Sequence, residues 1–106
     1  MAVRRLDDVP PTGAEAAGVE VRNLKRVEDV ELKVLDVKPG SRTPFHAHPH
    51  AHEGVIVTGT GAVRYEDRSD LLSPGDVFSV NPHEPHAIES HGPDVLRLVC
   101  MDCFIE

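Results

Sequence analysis

Proline and glycine interrupt this chain too often for long helices to run through it. Nine prolines and eight glycines separate short Val-rich runs. Lys38-Pro39-Gly40-Ser41, Gly59-Thr60-Gly61, Ser73-Pro74-Gly75-Asp76 and Ser90-His91-Gly92-Pro93-Asp94 read as turns, with proline presetting a corner and glycine supplying the backbone freedom beside it. Asn81-Pro82-His83-Glu84-Pro85 must be a loop, because two prolines three apart cannot both sit in a sheet interior. Between these breaks, residues 30–37, 43–48, 53–58, 62–66, 77–80, 86–89 and 95–101 read as strands. Short strands at a spacing of roughly 8–12 residues predict an all-β sandwich or small barrel. At 106 residues the chain forms one such domain.

The alternation of side chains adds detail. Val30, Leu32 and Val34 share one phase, whereas Leu35 and Val37 share the other, which predicts either a bulge or a strand buried on both faces. Val19-Glu20-Val21 reads as a short strand and residues 23–28 as a polar connection. Residues 1–18 read as an N-terminal arm that packs on the body or on a partner subunit, with residues 19–106 as the domain proper. Ile56, Ile88, Leu96, Leu98 and Cys100 are expected inside, opposite Arg97. Phe45, Phe78 and Tyr65 are expected as walls or core, with Tyr65 of chemical interest if its hydroxyl reaches a site.

The chemistry concentrates in His46-Ala47-His48-Pro49-His50-Ala51-His52-Glu53, four imidazoles and a carboxylate in eight positions. Imidazole is the commonest neutral metal ligand, and histidines two apart on a strand share a face. A straight strand would nevertheless hold His46 and His52 about 20 Å apart, beyond the reach of one ion. Pro49 offers a reversal, which returns His52 beside His46 and His48 and leaves His50 at the turn. The other reading is a solvated histidine-rich loop that takes up metals only adventitiously. A further ligand would have to come from another strand, and His86 opens one. His50, His83 and His91 are expected to be exposed, with the barrel mouth as the alternative place for His50 or His83.

Composition excludes several classes of function. The net charge is −7, from 11 Lys and Arg against 18 Asp and Glu, which argues against nucleic-acid binding. No apolar run approaches a membrane span, and the first residues lack a signal-peptide hydrophobic region, so a cytoplasmic protein is expected. Cys100 and Cys103 form a Cys-x-x-Cys, but i and i+3 face opposite sides of a strand. A buried thiol is expected there rather than redox chemistry or a separate metal site.

Two spaced segments resemble the paired motifs of the cupin family. Gly40, His46, His48, His52 and Gly59 match the spacing of the first motif; Gly75, Pro82 and His86 match that of the second. The resemblance spans residues 40–90 and implies a cupin jelly-roll barrel. In cupins the first motif supplies two histidines and usually a glutamate, and the second supplies a histidine. Here His52 occupies the usual glutamate position and Glu53 falls one place later. That form, His-x-His-Pro-x-x-His-Glu, resembles small single-domain cupins similar to four-histidine manganese proteins. Asn81, His83 and Ser90 also depart from the second motif, at positions that do not usually ligate. The resemblance therefore implies His46, His48, His52 and His86 as metal ligands, with parity sending Glu53 outward.

The resemblance implies manganese, followed by iron, nickel or zinc; imidazole suits all of them and does not itself select one. The expected activity is that of an enzyme whose divalent ion acts as a Lewis acid or oxygen-binding centre on a small polar or anionic molecule, of dioxygenase or isomerase/lyase type. The alternative is a non-catalytic module that binds or senses a small ligand around a structural metal. Resemblance to small cupins also implies a homodimer. No residue beyond the ligands can be assigned a catalytic role from the sequence.

Overall fold

A computed structural model describes residues 3–104, so residues 1–2 and 105–106 of the expected arm and domain lie outside the described residues. Nine strands form: β1 (Gly13–Ala16), β2 (Val19–Val27), β3 (Val30–Val37), β4 (Ala51–Thr58), β5 (Gly61–Arg64), β6 (Ser69–Leu72), β7 (Val77–Val80), β8 (Ala87–Ser90) and β9 (Leu96–Cys103). Apart from a 3₁₀ turn at Leu6–Asp8, the described regular structure is β. The strands form a six-stranded sheet in the order β1-β2-β3-β9-β4-β7 and a three-stranded sheet in the order β6-β5-β8, with every pairing antiparallel. The all-β jelly-roll architecture is thus the one expected.

Side-chain alternation fills the space between the sheets. Leu35, Val37, Ile56, Phe78, Val80, Leu96, Leu98 and Cys100 from the larger sheet pack against Val63, Leu72 and Ile88 from the smaller one. Ile56, Leu96, Leu98 and Cys100 are essentially inaccessible to solvent. Their period-two spacing along β4 and β9 is what places them on one face.

The phase slip in β3 comes from burial on both faces. Its pairing with β9 is continuous from Val30 to Val37, with no bulge. Leu35 and Val37 face the core, while Val34 and Asp36 are buried on the other side. The N-terminal segment covers that outer face. Leu6 and Val9 gather around Leu24, Val34 and Val99, Arg22 Nε donates to the Val9 carbonyl at 2.7 Å, and Arg97 pairs with Asp7 at 3.1 Å. Asp36 sits beneath, paired with both Arg22 and Arg97 at 2.7 Å. The segment 1–18 also carries strand β1, at the edge of the larger sheet.

Two local expectations change. Residues 23–28 are not a polar connection, because β2 runs on to Val27 and absorbs a register shift between Asn23 and Lys25. Residues 43–48 do not form a strand paired with 53–58. Strand β4 pairs instead with β7 and β9, while residues 42–46 run beside His86 and the β8 strand that follows it. The physical reason is a set of specific clamps: Thr43 N donates to the Ile88 carbonyl and Thr43 Oγ1 accepts from Ile88 N, both at 2.9 Å. His46 and His86 exchange backbone hydrogen bonds at 3.1 and 3.0 Å.

Candidate metal centre

The His46–His86 bridge is the step that joins the two sequence motifs. It fixes the start of the histidine run against the start of β8. Beyond it the chain bends at Pro49 and His50 and enters β4 at Ala51, which brings His52 back toward His48. The reversal expected from Pro49 is therefore present, although the two arms it joins pair with different sheets, residues 42–46 beside the segment 86–89 and β4 between β9 and β7. Alternation along β4 then turns His52, Gly54 and Ile56 inward and Glu53 outward. Glu53 is exposed and accepts a hydrogen bond from Ser79 Oγ at 2.5 Å.

His48, His52 and His86 come together, with one ring nitrogen from each lying within 4.8 Å of the others. The Nε2 atoms of His48 and His52 are 2.5 Å apart. His46 stands beside this trio, its ring centroid 5.3 Å from that of His48 and 5.5 Å from that of His86. All four line one cavity of about 280 Å³, a size for a small molecule. Thr43, Leu35, Phe78, Ile88, Cys100 and Phe104 contribute to its walls, and Glu15, Glu31 and Lys33 also line it.

The hydrogen bonds on the far side of each ring determine what the rings present to the cavity. His46 Nδ1 lies 2.6 Å from the Pro44 carbonyl, His48 Nδ1 lies 2.9 Å from the His50 carbonyl, and His86 Nδ1 lies 2.8 Å from the Glu84 carbonyl. A carbonyl oxygen only accepts, so each Nδ1 must carry the proton. His52 Nδ1 meets the carboxylate of Asp102 in a close charge-pair contact, in which neither His52 Nδ1 nor Asp102 Oδ1 makes an aligned hydrogen bond. In the neutral rings, therefore, all four Nε2 atoms carry a lone pair and no proton. That is the donor set a divalent transition metal takes, with three of the ligands held by a hydrogen bond on the other nitrogen and His52 by its contact with Asp102. Bare lone pairs facing each other across 2.5 Å repel, and a cation between them would remove the repulsion.

Burial disfavours the charged form of two of the rings, His48 and His86. Burial, reinforced by His52 and His50 nearby, pushes the His48 imidazolium down to about 4. Burial likewise lowers His86, against the pull of the Glu84 carbonyl. Because the folded value of His48 lies below its ordinary 6.5, the unfolded chain takes up this proton first. The metal-free protein is therefore expected to lose about 1–2 kcal/mol of stability as pH falls from about 6.5 to about 4, an amount reduced by solvent that still reaches the ring. Thermal unfolding after metal removal checks this, and a Tm that does not fall between pH 7 and pH 4.5 would count against a neutral His48.

One feature of the cavity takes its alternative place and one escapes sequence reading. His50 leaves the exposed turn for the cavity, the alternative expected for it: its ring stacks on His48 at 4.0 Å, lies 4.5 Å from Phe104, and lines the cavity. Asp102, which carried no expectation, is 2% exposed and touches His52 and Lys33. Burial raises the Asp102 carboxyl, but its contacts with His52 and Lys33 outweigh that and hold it at about 2. Other expected residues lie elsewhere. Tyr65 packs at the core's edge and faces a separate surface depression with Arg68, Phe45 is half exposed, and His83 and His91 are exposed. Cys100 is a buried free thiol pushed up by burial to about 12, and Cys103 is free and half-buried, so the pair is not joined.

Comparison with known proteins agrees with this architecture. Solved structures that superpose well include the polyketide cyclase RemF from Streptomyces resistomycificus, with 22% identity, a TM-score of 0.83, and coverage of 99% of this chain and 80% of that one. A predicted oxalate decarboxylase from Thermotoga maritima gives 22% identity and a TM-score of 0.85 over 98% of this chain and 100% of the other. Ectoine synthase from P. lautus gives 18% identity and 0.79 over 98% and 78%. At these identities the likeness concerns the fold. No curated protein matches the chain. The family described as "Cupin domain" matches residues 33–102, two thirds of the sequence and both ends of the histidine cavity, and the chain belongs to that family.

Proposed function

We propose that His46, His48, His52 and His86 hold one divalent metal ion, manganese first and iron, nickel or zinc after it, and that the protein is a metal-dependent enzyme acting on a small polar or anionic molecule. One observation carries this reading: the Nδ1 atoms of all four rings face oxygen acceptors, which leaves every Nε2 free toward one cavity. A histidine-rich loop that bound metals by accident would have no reason to fix four tautomers alike. When bound, the ion supplies a Lewis acid for dioxygenase or isomerase/lyase chemistry.

The chain's own residues set what can bind. Four neutral imidazoles add no negative charge to the ion's immediate surroundings, which favours an anionic or deprotonating group there. Phe78, Ile88 and Leu35 make one part of the wall apolar, and the cavity limits the molecule to a few heavy atoms beyond its metal-binding group. A polyketide cyclase, a predicted oxalate decarboxylase and an ectoine synthase stand among the structural neighbours, so the fold accommodates different chemistries and does not choose one for this chain.

Titration of the metal-free protein with Mn²⁺, followed by water-proton relaxation, separates the two readings made from sequence. The enzyme reading expects about one Mn²⁺ per chain with relaxation enhanced by exchangeable water, displaced by small carboxylates. Binding without enhancement would mean a coordinatively closed ion and favour the structural-metal, ligand-sensing alternative. Failure of folded protein to bind any divalent transition metal would remove both.

A further inference from the structure

Three of the four proposed ligand histidines lean on backbone carbonyls, whereas His52 leans on a carboxylate, and the sheet register dictates that difference. His52 in β4 is directly opposite Asp102 in β9. Both lie on inward positions of their strands, so His52 Nδ1 meets Asp102 Oδ1. On the other side of β9, Asp102 is opposite Glu31 of β3, which puts Lys33 diagonally across from it on the same face. Lys33 Nζ reaches the second carboxylate oxygen, Oδ2, at 2.9 Å and Glu15 at 3.5 Å. Lys33 and Asp102 are buried, at 8% and 2% exposure.

From this row of contacts we infer that Asp102 is a positioning residue for the metal centre: it fixes His52 as the Nδ1–H tautomer and makes its Nε2 the strongest donor of the set, while Lys33 moderates that effect. The inference rests on the four-histidine reading proposed above. A neutral carbonyl accepts the imidazole proton weakly, whereas an anionic carboxylate draws it further and leaves more electron density on the opposite nitrogen. A buried carboxylate needs compensation, which Lys33 provides from the neighbouring strand. Lys33 also argues against a competing arrangement. His50, His52 and Asp102 place donor atoms within 4.8 Å of one another, but an ammonium 2.9 Å from the same carboxylate opposes a second cation there.

The sign of two substitutions distinguishes this role from a merely structural ion pair. Asp102→Asn removes the charge behind His52 and should weaken Mn²⁺ binding roughly 10–100-fold. Lys33→Met leaves the full carboxylate charge on His52 and should keep Mn²⁺ binding as tight as in the unmodified protein or tighter. If the pair served only to hold the strands together, both substitutions would weaken binding alike. Affinities are to be measured by Mn²⁺ titration of protein verified as folded by circular dichroism. Histidine ¹⁵N shifts of the unmodified metal-free protein provide a readout that needs no variant, with His52 expected in the Nδ1–H form.

Asp102→Asn binding Mn²⁺ as tightly as the unmodified protein, a loss on Lys33→Met equal to that on Asp102→Asn, or His52 in the Nε2–H form would each overturn the inference. The four-histidine reading fails differently: the unmodified protein would bind no Mn²⁺ although His52 shows the Nδ1–H form.

Discussion

Replacing His52 with alanine is expected to abolish stoichiometric metal binding, while Glu53→Gln leaves metal content nearly unchanged. The two residues are neighbours in sequence and opposite in orientation. His52 is half-buried with Nε2 directed at His48, and Glu53 is exposed and hydrogen-bonded to Ser79. Loss of His52 removes a donor itself, so binding should weaken by more than the roughly 10–100-fold that loss of an outer partner costs. The folded state should survive, because a half-buried ring at the cavity's edge contributes little to the core. Metal analysis after dialysis against trace Mn²⁺ reads both variants, and retention by His52→Ala with loss by Glu53→Gln would reverse the assignment.

Leu98→Ala tests the other half of the account, that the core and the metal centre are separable. Leu98 has no exposed surface and lies directly opposite Leu35 on one side and Ile56 on the other, so its truncation opens a cavity in the middle of the larger sheet's inner face. Such a deletion costs about 2–5 kcal/mol. For a domain of this size each kcal/mol corresponds to about 4–8 °C, and Tm should fall by roughly 10 °C or more. Metal affinity measured below the transition should stay within a few-fold of the unmodified value, since none of the ring tethers involves Leu98. A stable variant with lost metal binding would show that the site depends on packing in a way the side-chain tethers do not explain.

Much of the fold was legible because alternation and turn chemistry act locally. Ile56, Ile88, Leu96, Leu98 and Cys100 are inside where parity puts them, and the breaks at Pro39-Gly40, Pro74-Gly75 and Gly92-Pro93 separate strands as proline and glycine require. The pairing of residues 42–46 with the segment containing His86 was not legible, because it depends on Thr43 clamping Ile88 across 45 positions of sequence. A strand's period says which face a residue takes, not which strand lies next to it.

The centre itself was partly legible. His48, His52 and His86 lie where spacing and resemblance bring them, and His46 lies beside them. For His50 parity ends at a turn and leaves solvent or the barrel mouth open, and the bend at Pro49 takes the second, laying its ring on His48 in the cavity. Asp102 and Lys33 did leave a signal that went unused. Asp102 continues the inward series Leu96, Leu98, Cys100, and Lys33 precedes the inward pair Leu35 and Val37. A charge on a core-facing position requires a partner, and two such charges of opposite sign on strands of one sheet point to each other.

The central claim is that four imidazoles share one ion through Nε2. Anomalous diffraction from crystals grown with Mn²⁺, recorded at the manganese edge, tests it most directly. The account predicts one strong peak in the cavity within bonding distance of Nε2 of His46, His48, His52 and His86. A peak coordinated by Glu53, or no peak in the cavity of an otherwise ordered, folded protein, would contradict it.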